Sequence, residues 1–80
     1  MSDRRIKVIA YSGYRGEEVP RTMVLGDIRI EVIQILKMWI EENAKNRTRK
    51  RGFEVQGNDG ETYKIYYDEK AMEWFYRVED

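Results

Sequence analysis

The chain has 80 residues, 41% of them hydrophobic and 38% charged, and its 15 basic and 15 acidic residues give a formal net charge of zero. This length predicts one domain over residues 1–80 with a small core, and the neutral balance excludes binding to nucleic acid through an overall positive charge. The chain has no cysteine and no histidine, which excludes disulfides, thiolate metal sites and the commonest catalytic side chains.

No apolar run reaches the length of a membrane span, and residues 1–5 lack the apolar stretch of a signal peptide. We therefore expect a cytoplasmic protein.

The first third of the chain predicts two strands. Apolar and polar residues alternate over residues 6–11, which favours a strand. Residues 12–20 are expected to form a loop, because Gly13 and Gly16 relax the backbone and Pro20 is unsuited to a central strand. A second strand is predicted over 21–25, followed by a tight turn at Gly26 and Asp27.

Residues 28–45 fit two templates. Read with a period of two, most apolar residues from Ile28 to Ile40 share one face; read with a period of 3.6, a polar stripe runs from Glu31 to Lys45. The β-branched residues that dominate the start of the segment favour a strand. We predict a long, bent strand over 28–38, with a helix near 31–45 as the alternative.

The rest of the chain predicts a polar, basic connection over 43–51 and strands over 53–56, 62–67 and 73–78. Turns are expected at 58–60, where Asn, Asp and Gly tolerate left-handed backbone angles, and at 68–71. An antiparallel meander of this size buries its apolar face by curling. The sequence thus predicts an all-β, SH3-like barrel, or, with the helix alternative, an α+β fold with one helix on an antiparallel sheet. The predicted core comprises Ile6, Val8, Val24, Ile30, Val32, Leu36, Phe53, Val55, Tyr63, Ile65, Trp74 and Val78.

Several short motifs resemble those of a group of short, uncharacterised prokaryotic proteins that form a domain of unknown function. The motifs are Tyr-Ser-Gly-Tyr at 11–14 with Glu17–Pro20, Glu-Val at 31–32 with Ile-Leu at 35–36 and Trp39, Phe-Glu-Val at 53–55, Asp-Gly at 59–60 with Tyr63, Tyr-Asp at 67–68, and Glu-Trp at 73–74. The resemblance covers nearly the whole chain. Some members of the group occur near DNA-repair polymerase functions, so the resemblance implies a nucleic-acid context, but it assigns no activity to any residue.

A basic run is the first candidate site. Its five cations could neutralise phosphates, and the nearby Trp39 and Phe53 could stack on unpaired bases. The alternative is a solvated loop whose charge is balanced by neighbouring glutamates. The nucleic-acid-binding residues predicted on this basis are Lys45, Arg47, Arg49, Lys50 and Arg51.

Two further surfaces are candidates for binding a protein partner. The loop that carries Tyr11, Tyr14 and Arg15 has the composition of a recognition loop, although its tyrosines could instead cap the barrel. Tyr66 and Phe75 are expected on the face opposite Ile65, where they could form an exposed aromatic strip or simply pair across strands.

Catalysis has little support. Ser12 has no histidine to activate it, and the adjacent Glu17 and Glu18 would point apart in an extended loop. We therefore expect no enzymatic activity, metal or cofactor. The sequence predicts a small, non-catalytic accessory domain that binds a protein partner and is a monomer or weak homodimer. The alternative is nucleic-acid binding through residues 45–51.

Overall fold

The computed structural model describes the backbone of residues 3–12 and 18–77, and the side chains of 3–10 and 19–77. Six strands form a closed barrel in which every neighbouring pair is antiparallel and the first strand pairs with the last. No helix occurs in those residues, so the all-β barrel prediction is confirmed and the α+β alternative is wrong. The strands are β1 (Arg4–Ser12), β2 (Glu18–Leu25), β3 (Ile28–Asn43), β4 (Thr48–Gly57), β5 (Thr62–Asp68) and β6 (Glu73–Tyr76).

The ambiguous segment is one strand of 16 residues, and it continues five residues beyond the predicted end at 38. Ten residues of β3 pair with β4, and the register shifts between Val32 and Gln34 and again between Ile35 and Lys37. Such bulges bend a strand and increase its twist. Pairing with β4 satisfies backbone groups that a helix would have satisfied internally, so tertiary contacts decide between the two templates.

The basic segment is mostly strand, which corrects the predicted connection over 43–51. Only residues 44–47 form the turn of the β3–β4 hairpin, and β4 begins at Thr48 rather than 53. Arg47 adopts a φ of 53°, and the Asn43 side chain accepts a hydrogen bond from the Lys45 amide at 3.0 Å. Local hydrogen bonds thus stabilise the turn. The basic residues that follow it lie in β4, where their backbones pair with β3.

Pro20 lies inside β2, which corrects the predicted loop over 12–20. It is fully buried and faces Ala10 at the point where the β1–β2 register shifts. A bulge is one of the few strand positions that tolerates a residue without an amide hydrogen.

Turns at 26–27, 58–60 and 69–72 connect the remaining strands. Gly26 and Gly60 have φ values of 62° and 86°, which explains glycine at both positions. The Asp68 carboxylate accepts backbone hydrogen bonds from Lys70 and Ala71, which confirms the expected turn after β5.

The core sits inside the barrel and contains most of the predicted residues. Met23 occupies the interior position expected for Val24, because it is paired with both Val8 and Ile30. Leu36 is wrong as a core residue: it lies at the second bulge and is 45% exposed. Val78 lies outside the described residues. The buried cluster is Met23, Ile30, Phe53, Val55, Ile65 and Trp74, and the predicted Ile6, Val8, Val32 and Tyr63 pack against it half-buried.

Candidate protein-interaction surface

The second half of β3 has one edge without a pairing partner among the described residues. β2 pairs with β3 only through residues 28–31, and no described residue pairs with the opposite edge of residues 32–43. Beyond the bulges, residues 37–43 pair with β4 in unbroken register. Successive residues of a strand direct their N–H and C=O groups to alternate sides, so this stretch offers a regular row of unpaired backbone groups.

Exposed apolar side chains accompany that edge. Met38 and Ile40 are 55% and 54% exposed, and Ile33 and Leu36 at the bulges are also exposed. Met38 is paired with the buried Phe53, so its side chain lies on the same face as the core and continues the interior row of side chains to the edge of β3. We call residues 37–43 the β3 edge. Met38 and Ile40 are its exposed apolar side chains.

Trp39 lies on the outer face, and its ring is turned away from the β3 edge. The ring covers Gly52 of β4: a Cβ built on Gly52 would lie 2.1 Å from Trp39 Cε2. Trp39 Nε1 donates a hydrogen bond of 2.7 Å to Glu41 Oε2, and Arg77 Nη1 lies 3.2 Å from the same oxygen. These contacts, the Trp39 hydrogen bond first, hold the pKa of Glu41 below its ordinary value.

An aromatic cluster continues the outer face across β5 and β6. Tyr66 stacks on Phe75 with ring centroids 5.3 Å apart, and Lys50 Nζ and Arg77 Cζ lie 5.0 and 4.9 Å from the Tyr66 centroid. The predicted face of both aromatics is confirmed by their pairing. However, Tyr66 is only 5% exposed, so of the two alternatives it fits cross-strand pairing and not an exposed strip: the flanking cations and Phe75 cover it. Burial raises the pKa of Tyr66, and its hydrogen bond to Asp3 adds to this shift.

The basic run is divided by the hairpin. Arg49 and Arg51 both pair with Glu69, at 3.6 and 3.0 Å, and Lys50 lies over the Tyr66 ring. Lys45 and Arg47 are exposed at the turn and form no ion pair with any described residue. Three of the five predicted phosphate contacts thus already have intramolecular partners.

The other predicted partner-binding residues are only partly covered by the structure. Tyr11 is the second-last residue of β1 and pairs with Val19. Tyr14 and Arg15 lie outside the described residues.

No group of three or more acidic side chains in residues 3–10 and 19–77 could hold a metal ion together. In the same part of the chain, no helix has the length and apolar character needed to cross a membrane. The pKa shift at Tyr63 has a structural cause: a hydrogen bond of 2.5 Å to Asp59 raises the pKa of Tyr63 to about 12.

Comparisons with known proteins add no relative. No model of a known protein family matches the chain, and no curated protein or solved structure matches it. The resemblance described above therefore stays a prediction, and only the geometry of the described residues supports a function.

Sequence reasoning missed the β3 edge, since it placed Leu36 in the core and ended the strand at 38. The apolar alternation through Met38 and Ile40 was visible, but alternation alone does not say whether a second layer covers the residues. The charged residues that follow, Glu41 and Glu42, were an available sign that the strand leaves the core there.

Proposed function

We propose that this protein is an accessory protein-interaction domain, and that it binds an extended segment of its partner along the β3 edge. The observation that carries the proposal is a regular strand edge of seven residues, to which no described residue pairs and whose Met38 and Ile40 are more than half exposed. Added strands bind through main-chain hydrogen bonds, and alternate side chains provide specificity. A stretch of seven residues exceeds the common strand length of about five or six, which is enough for one added strand.

The chemistry of the β3 edge defines the segment it would accept. On the inner face, Met38 and Ile40 favour apolar side chains at alternate positions of the partner. On the outer face, the exposed Lys37 has no ion pair with any described residue, whereas Glu41 carries a negative charge. A suitable partner strand therefore alternates apolar residues with charged residues. It would carry an acidic residue opposite Lys37 and a basic residue opposite Glu41.

Selection from a library of short displayed peptides tests the proposal. We expect selected peptides to alternate apolar and polar residues and to shift the amide NMR signals of residues 37–43. The paired substitution Met38→Lys with Ile40→Lys should abolish this binding, because it places charges where the apolar side chains of the peptide would lie.

Ile28→Lys is the matched control. Ile28 is on the same strand and is 64% exposed, but its stretch of β3 is already paired with β2. This variant should bind like the wild type. Peptides that perturb only the aromatic outer face, or that bind the double variant equally well, would contradict the proposal.

Nucleic-acid binding through residues 45–51 is the competing prediction. Arg49 and Arg51 already form ion pairs with Glu69. Phosphate binding would therefore depend mainly on Lys45 and Arg47, unless phosphate displaces the Glu69 carboxylate. Changing Arg47, Arg49 and Arg51 to Ser should abolish retardation of single-stranded oligonucleotides if the run binds phosphate, and wild-type retardation should weaken steeply with salt. A cytoplasmic location likewise stays a prediction from the sequence.

A further inference from the structure

We infer that the segment bound by the β3 edge is the β3 edge of a second copy of this chain, joined antiparallel about a twofold axis at Trp39. This inference rests on the proposed function, since it names the partner of the same surface. A homodimer interface of this kind is self-complementary. A residue that lies a given number of positions before Trp39 faces the residue that lies the same number of positions after Trp39 in the second copy.

The register follows from the sequence of the edge. When Trp39 faces Trp39 of the second copy, Lys37 of each copy faces Glu41 of the other, and Met38 faces Ile40. The charged pairs lie on the outer face and the apolar pairs on the inner face, so both faces match over residues 37–41. A centre at Lys37 or Glu41 would instead place like charges opposite each other.

The side chain at the centre leaves room for the second strand. Because the Trp39 ring lies over Gly52 and is held by Glu41, it points toward β4 and not across the free edge. Lys37 is exposed and makes no ion pair with any described residue, and the Glu41 side chain is 40% exposed. Lys37 is therefore accessible to a second copy, and the Glu41 carboxylate would be shared between its present partners, Trp39 and Arg77, and Lys37 of that copy.

Cysteine cross-linking of the full chain tests the register directly. The native chain has no cysteine, so Met38→Cys and Ile40→Cys each introduce a single thiol. Directly opposed residues of antiparallel strands have Cα atoms about 4.5–5.5 Å apart, which lies within the range of a disulfide. Under mild oxidation, a mixture of the two variants should form the heterodimer faster than either variant alone forms a homodimer. Equal rates, or a faster homodimer of either variant, would overturn the register.

Charge reversal provides a second measurement without cysteine. In sedimentation equilibrium, Lys37→Glu should raise the dimer dissociation constant by roughly tenfold, because two attractive pairs become repulsive. Glu41→Lys should raise it by at least as much, since it also removes the contacts of Glu41 with Trp39 and Arg77. Mixing the two variants should restore association, since opposite charges again face each other. Lys7→Glu, an exposed change of the same kind on β1, is the control and should leave the constant unchanged.

The outcomes separate this inference from the proposed function. A wild-type chain that stays monomeric at the highest soluble concentration refutes self-association. If selected peptides still bind residues 37–43 in that case, the proposed function stands with a different partner. If neither a second copy nor any peptide binds there, both are wrong.

Discussion

Replacing Gly52 by alanine should destabilise the barrel by displacing Trp39. The added Cβ would lie 2.1 Å from Trp39 Cε2 and 2.4 Å from Nε1, far inside van der Waals contact. The ring is not a freely mobile tip: its Nε1 donates to Glu41 in a partly buried hydrogen bond. The substitution therefore forces the indole to move and breaks that bond.

The expected loss can be worked from these two effects. Overpacking costs about 1–3 kcal/mol, and a hydrogen bond to a charged group contributes about 1.5–3 kcal/mol. Moving the ring relieves the clash but breaks the hydrogen bond, so the two costs do not add fully. We expect the free energy of unfolding to fall by about 2–4 kcal/mol. A domain of 80 residues has a total stability of about 4–12 kcal/mol, so this loss is a large share of it, and the melting temperature should fall by roughly 8–32 °C.

Urea unfolding, followed by fluorescence and far-UV circular dichroism, measures the effect. Repeating Gly52→Ala in a Trp39→Val background isolates the clash, and Trp74 then still reports unfolding. Without the indole, the alanine should be neutral or slightly stabilising, since it restricts the unfolded chain. The reasoning is refuted if Gly52→Ala costs the same in both backgrounds.

Three further predictions follow from single side chains. In an absorbance titration, Tyr63 should ionise near pH 12, and Asp59→Asn should lower that pKa. Because the pKa of Tyr63 is higher in the folded than in the unfolded protein, its contribution to stability should be lost as pH rises from about 10 to 12. An unchanged titration in Asp59→Asn would contradict this cause. Phe53→Ala should cost about 3–5 kcal/mol in urea unfolding, because Phe53 is 2% exposed and packs on Trp74; a cost below about 1 kcal/mol would contradict it. Met72→Gly should stabilise the protein by up to about 1 kcal/mol, since Met72 is 74% exposed with a φ of 58°; a lowered melting temperature would argue against strain there.

Much of the local structure could be predicted because it depends on neighbours in the chain. The two-residue turn at Gly26 and the turn at Gly60 need positive φ, which glycine adopts at little cost. Alternation in β5 correctly places Ile65 inside and Tyr66 outside. These inferences need no knowledge of which strand lies next to which.

The errors share a different cause. Met23 rather than Val24 is interior because both neighbouring strands set that register, and Pro20 is tolerated because it lies next to the bulge at Arg21 of β2, where the pairing with β1 shifts. Tyr66 is on the outer face yet buried, because Lys50 of β4, Phe75 of β6 and Arg77, which follows β6, converge on it. Each of these outcomes depends on partners distant in sequence.

The sequence by itself determined the alternating strands, the turns and the absence of thiol and imidazole chemistry, because composition and short-range backbone preferences are enough for these. Only the tertiary structure decided that residues 28–43 form one strand and that its second half is left with a free edge. The physical reason is that burial and backbone pairing depend on which strands come together, and alternation looks the same whether or not a neighbour covers it.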